Sequence, residues 1–346
     1  MNADQSYGFL AKSIRLVLIS FLFCAVALPQ GSDPKPQDAT KAILAAFDKY
    51  EVVGMQAAHG FKDLDDYILS LIRHPAFPNQ VDDIVVECGN SLYQNVLDRF
   101  IAGENVPVTE VRQVWRNTTQ LMCSLSGFYE QLIPLVRQVN QKLPAQRRLR
   151  MLAADPAFDW SKVMSAADIP RDRDSAIVSV MTKEVLAKKR RALMLFGVGH
   201  LFHGEQRPNA VTIYEQTYPG LTLVINAHHG FESQNEQLEA RLKTWPKPSV
   251  ALIKDTWLGK LGIAYFSDLA PKRWPKETTL ADFVDAYLYL GPRDSLTHEN
   301  TPSDILEDQL YMEELSRRAA LGGSFAAFDP ARIRERDQDS RLYRPR

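Results

Sequence analysis

Histidines and carboxylates recur just beyond short apolar runs in this chain. His59 follows Glu51-Val52-Val53-Gly54-Met55, Glu87 closes Ile84-Val85-Val86 with Asn90 just after it, and Asp155 follows Arg148–Ala153. His200 follows Ala192–Phe196 through Gly197-Val198-Gly199, and His228-His229 follow Leu221–Ile225. A neutral imidazole beside a carboxylate can take a proton from water. The same groups can hold a divalent metal and lower the pKa of its bound water. Spacing does not choose between the two, since no His-Glu-x-x-His is present. A Gly-x-Ser-x-Gly elbow is absent, which disfavours that type of serine hydrolase. The glycine pattern of a nucleotide loop breaks at Phe202.

Each candidate also has a plainer role. Glu87 after an apolar run must be paired, either in a structural ion pair or at a site. Asn90 is a good helix cap by type, and Asp155 before Pro156 suits a turn. His203 lies three residues past His200, one helical turn if the segment is helical. Arg116, after Trp115, can bind a substrate anion or pair with a carboxylate. His228 and His229 on an extended segment point to opposite faces, so one at most faces a given cleft.

These positions gain meaning from the elements that carry them. The runs at 51–55, 83–87, 148–153, 192–196, 221–225 and 249–253 read as buried strands, with helical periodicity in most of the intervals between them. Helices are expected near 39–50, 64–72, 92–101, 128–143, 175–190 and 211–217. Strand and helix alternating, with continuous apolar strands, predicts an α/β fold: a mostly parallel central sheet with helices on both faces and additional helical segments. Ligands of such sheets bind at the carboxyl ends of the strands. There the candidates would share one rim.

The near-neutral net charge of -1 argues against nucleic acid as a partner. The basic run Lys188–Arg191 reads as a solvated helix end. Lys12 and Arg15 precede an apolar run, Leu16–Leu28, which is shorter than the roughly 20 residues a membrane span needs. Ala25-Val26-Ala27 then offers a small-x-small cleavage pattern, so 1–28 is expected to be a secretory signal peptide and the protein periplasmic or secreted. Residues 29–45 would form a polar linker and first helix, 46–320 a single domain, and 329–346 a charged, disordered tail. Cys88 and Cys123 can pair in an exported chain or act as small buried hydrophobes.

Three motifs carry a family resemblance. Val53–Gly60 resembles a strand followed by Gly-Glu-x-His, Asp83–Glu87 resembles a second strand with a terminal glutamate, and Phe196–His200 resembles a later Gly-x-x-His element. In this order they resemble the erythromycin-esterase / ChaN / Tiki–TraB superfamily over roughly residues 45–315. The resemblance implies His59, Glu87 and His200 as catalytic residues activating water, on a divalent metal in some members. Asn90, Arg116, Asp155 and His203 would orient a small-molecule or peptide substrate. It also implies two alternatives: a protein binding haem or another small ligand in the same cleft, or an inactive member. The family's Gly-Glu is Gln56-Ala57 here, so the expected carboxylate is a methyl group.

Overall fold

The apolar runs fold as strands because both of their faces are covered. A computed structural model describes residues 31–57, 60–204, 208–229, 236–266, 275, 277–297, 299 and 301–336. Its strands are Gln37–Asp38 (β1), Val52–Gln56 (β2), Asp83–Asn90 (β3), Arg150–Asp155 (β4), Ala192–Phe196 (β5), Thr222–Ala227 (β6), Ser249–Leu252 (β7) and Ala286–Tyr289 (β8). They form one sheet in the order β1-β7-β8-β6-β2-β5-β3-β4. The pairs from β8 through to β4 are parallel, and β7 runs antiparallel to both β8 and β1. The α/β, mostly parallel architecture expected from the sequence is the one found.

Side chains alternate across the sheet with the period of two that a strand imposes. Val53, Met55, Ile84, Val86, Leu193 and Leu195 enter one apolar layer. Val52, Val85, Met194 and Phe196 enter the other. Over the first layer pack Ala39–Ala46 (α1), Lys62–Arg73 (α2), Gln94–Ala102 (α4), Val108–Arg116 (α5) and Gly127–Gln141 (α6), with the short Phe77–Gln80 (α3) at its margin. Over the second pack Arg173–Val180 (α7), Ala210–Tyr214 (α8) and Glu236–Leu242 (α9). The α2 register shows why: Leu64, Ile68, Leu71 and Ile72 fall on one helical face and are fully buried.

Several elements depart from the sequence reading. Strand β8 was not expected, although it lies centrally between β6 and β7. The helix expected over 175–190 starts at Arg173 and passes through a π turn, Met181–Val185, and a 3-10 turn, Leu186–Lys188, before Lys189 ends it with φ 51°. The basic run is more than a solvated end. Arg190 and Arg150 both grip the buried carboxylate of Asp83, with four contacts of 2.8–2.9 Å. Ser303–Glu307 (α10) and Gln309–Ala319 (α11) are followed by Pro330–Arg336 (α12), inside the segment read as a disordered tail. Ile333 of α12 is buried with Leu315 and Ile305, which explains its order. The expected signal peptide and residues 337–346 lie outside the described residues.

The cysteines form a disulfide, Cys88–Cys123, with Cα atoms 5.6 Å apart. It ties the end of β3 to the connection between α5 and α6. Gly89 lies beside it, and a Cβ there would come within 2.8 Å of Ala153 on β4. Glycine is therefore needed for the close approach of the two strands where β3 changes register beyond Val86.

Candidate active site at the strand ends

The carboxyl ends of β3, β4 and β5 meet around one arginine. Glu87, 3% exposed, projects from β3, and Asp155 ends β4. Arg173 opens α7, just after the helix cap Asp172. Its Nη1 donates to Glu87 Oε1 at 2.8 Å and its Nε to Asp155 Oδ1 at 2.8 Å. Asp155 also accepts from Thr119, at 2.7 Å from the hydroxyl and 2.5 Å from the amide. Burial pushes the Asp155 carboxyl up; Arg173 and Thr119 act the other way without cancelling it.

The second oxygen of Glu87 accepts from the Gly197 amide. A Cβ on residue 197 would stand 3.1 Å from that oxygen, so a glycine leaves the carboxylate room. The chain then makes a 3-10 turn, Val198–His200, that sets His200 beside the pair. His200 Nδ1 lies 2.7 Å from Asp174 Oδ1. Asp174 is itself held by the Ala210 amide at 2.9 Å. The other ring nitrogen, Nε2, is 3.1 Å from Arg173 Nη1 and 3.6 Å from Glu87 Oε1.

Two charge states of His200 compete in this geometry. Burial disfavours the imidazolium, but hydrogen bonding to Asp174 and the nearby Glu87 outweighs it, and the pKa is pushed up to about 9. The 3.1 Å contact with Arg173 is a hydrogen bond only when Nε2 is neutral and accepts. Protonation must turn that contact into a repulsion and favour Glu87 instead. Asp174 therefore fixes the ring through Nδ1 while Nε2 can carry or release a proton, the relation of a catalytic base to its orienting carboxylate.

A divalent cation does not fit this set. Among the described residues no three of His, Cys, Asp and Glu converge as ligands. The Arg173 guanidinium stands between Glu87 and His200, where a cation would have to sit.

The other sequence candidates separate from this centre. His59 lies outside the described residues. Asn90 is buried and saturated: its amide donates to the Asn117 and Phe158 carbonyls, and its oxygen accepts from the Leu92 amide. Arg116 is a structural ion-pair member rather than an anion binder in the cleft. It bonds Asp308 at 2.8 Å and Glu130 at 3.1 Å and covers the Tyr311 ring. His203 is carried down the sheet face, away from the rim, because the turn at His200 is not continued as a helix. It lies 2.8 Å from Asp285 and 3.4 Å from Glu215, beside a cavity of about 670 Å³ lined also by Lys49, Gly220 and Thr222.

His228 and His229 diverge, as adjacent residues of an extended segment must. His228 Nδ1 meets the Tyr287 hydroxyl at 2.7 Å, and its Nε2 lies 2.9 Å from Glu239. His229 lies 2.8 Å from the Gln56 amide nitrogen, and burial with the adjacent His228 and Arg293 lowers its pKa to about 3. Gln56 thus positions His229, while Ala57 beside it is buried and apolar.

Arg173 and Asp174 were missed by sequence reasoning. The dense charge of Arg171-Asp172-Arg173-Asp174 ahead of a helix was a visible signal, but of capping chemistry rather than of partners on other strands.

No family model and no curated protein matches the sequence. Solved structures share its fold. A succinoglycan biosynthesis protein superposes with a TM-score of 0.53 at 9% identity, over 75% of this chain and 94% of its own. A mutant of the erythromycin esterase EreC in its open conformation superposes with a TM-score of 0.51 at 12% identity, again over 75% and 94%. The chain therefore has the α/β fold of the erythromycin esterase, the fold implied by the sequence motifs.

Proposed function

We propose that this protein is an exported hydrolase of acyl compounds, with His200 as the group that moves the proton. The observation that carries the reading is His200 itself, oriented through Nδ1 by Asp174 and presenting Nε2 beside Glu87 and Arg173. The fold shared with an erythromycin esterase supports it. Export is supported by the leader-like first segment and by the Cys88–Cys123 disulfide, which suits an oxidising compartment.

In the proposed reaction a water oxygen bonds to the acyl carbon, and the carbonyl π pair moves to the carbonyl oxygen. Neutral His200 Nε2 takes the water proton, and Asp174 stabilises the imidazolium that forms. Collapse restores the carbonyl, breaks the bond to the leaving group, and returns the proton from His200 to the leaving oxygen or nitrogen. Glu87 and Asp155 hold Arg173 in place. Asp174 supplies a carboxylate on the working histidine although position 57 carries none.

Turnover of a panel of p-nitrophenyl esters tests the reading. His200→Asn, which removes the proton-transferring group, should lower kcat by about 10²–10⁴, and Glu87→Gln, which weakens the hold on Arg173, should lower it by less, both without loss of the folded state. Since the working form of His200 is neutral, kcat/KM should rise with pH towards about 9. Full activity in folded Glu87→Gln and His200→Asn variants would overturn it.

A further inference from the structure

Buried polar groups in native proteins have partners, and the exceptions call for a reason. Two exceptions lie around Glu87. Arg173 is 9% exposed; its Nε and Nη1 are taken by Asp155 and Glu87, but Nη2 is buried with no hydrogen-bond partner. The hydroxyl of Tyr129, on α6, is likewise buried and donates to no acceptor, with the Cys88 amide as its nearest backbone neighbour. It lies within the fields of Glu87, Asp65 and Arg173. Both orphaned atoms are hydrogen-bond donors. The Glu87 carboxylate, whose field reaches both, already accepts from Arg173 and Gly197.

We propose that Arg173 Nη2 and the Tyr129 hydroxyl form an oxyanion-receiving subsite beside His200, which takes the oxygen of the acyl carbon under attack. Its role rests on the hydrolytic reading; its existence rests on the two orphaned donors. A guanidinium already flanked by two carboxylates suits an oxygen that arrives neutral and gains charge during the reaction. Fixed donors aimed at such an oxygen stabilise the transition state more than the ground state. The sequence motifs did not point to either residue.

The test uses methylphosphonate, a tetrahedral oxyanion, titrated calorimetrically into the full chain. Arg173→Lys retains a positive charge for Glu87 and Asp155 but removes Nη2, and thermal unfolding reports whether it folds. Tyr129→Phe removes the second donor and decides the matter if Arg173→Lys is unfolded. The wild type should bind. Arg173→Lys should weaken binding by roughly 10- to 150-fold and Tyr129→Phe by about 2- to 10-fold, the ranges for charged and neutral hydrogen bonds. No binding by the wild type, or unchanged binding by the folded variants, overturns the subsite. Hydrolysis of p-nitrophenyl butyrate is measured in parallel. Binding that weakens as expected without any turnover upholds the subsite and overturns its hydrolytic role. Turnover with variant-independent binding overturns the subsite and leaves the hydrolytic reading standing.

Discussion

Two histidines three residues apart, His200 and His203, are both pushed up to about 9 by carboxylates that overcome burial. They differ in what their second nitrogen meets. His203 has Asp285 at 2.8 Å on Nε2 and Glu215 at 3.4 Å on Nδ1, so both ring nitrogens face carboxylates. His200 has Asp174 on Nδ1, but its Nε2 faces a guanidinium at 3.1 Å with the nearest carboxylate oxygen 3.6 Å away. The first arrangement satisfies a cation and makes a strut between Asp285 and Glu215. The second leaves a nitrogen whose proton can come and go. A raised pKa alone does not mark a site; unsatisfied capacity beside it does.

The largest expected effect is on turnover. His200→Asn should reduce kcat on a hydrolysed p-nitrophenyl ester by about 10²–10⁴, whereas His203→Asn should leave it within about threefold. Equal losses in the two variants, at equal thermal stability, would erase the distinction between working group and strut.

A smaller effect, on stability, should show the opposite order. Asp285 accepts from His203 Nε2 and from the Val224 amide in the middle of β6. Asp285→Ala leaves the Val224 strand amide without its acceptor and the His203 imidazolium with Glu215 alone, which should cost about 1–3 kcal/mol in urea unfolding. Asp174→Ala should cost less, because its partners His200 and the Ala210 amide are nearer the rim; it should instead lower turnover. A larger stability loss at Asp174 than at Asp285 would show that both carboxylates are structural.

The same pair of histidines shows what the sequence can and cannot carry. Strands β2 to β6 were legible because burial on both faces demands unbroken apolar runs. Strand β8 was not, since Ala286-Tyr287-Leu288-Tyr289 is short and its tyrosines suit several environments. Glu87, Asp155 and His200 were placed on one rim because strand ends in a parallel sheet share one. His203 was misplaced because i, i+3 proximity assumes a helix, and the helical turn there ends at His200. Arg173 and Asp174 escaped notice because their partners lie on other elements, 86 residues away for Glu87 and 26 for His200. Arg116 fails for the same reason in reverse, since its partners Glu130 and Asp308 come from α6 and the segment before α11. Contacts of that range follow from topology, not from local pattern.

The last expected effect is the pH dependence of stability, and it separates the two histidines again. Each has a folded pKa of about 9 against roughly 6.5 in the unfolded chain. A raised folded pKa means that the folded state holds the proton more tightly. The stabilisation is complete below about pH 6.5 and is lost as pH rises through about 9. Tm should therefore fall between pH 6.5 and 9.5, by about 1–2 °C for each kcal/mol lost. Asp285→Asn, which keeps an acceptor for Val224 but removes the nearer of the two carboxylate charges facing His203, should flatten most of the part of the curve belonging to the strut. Asp174→Asn should flatten the remainder by less, since Glu87 still favours the His200 imidazolium and Arg173 already opposes it. Resolving the two imidazole titrations by NMR would assign each part. A His200 that titrates near 6.5 in the wild type would mean that the Arg173 contact prevails, with the neutral base already populated at neutral pH and no rise of kcat/KM towards pH 9.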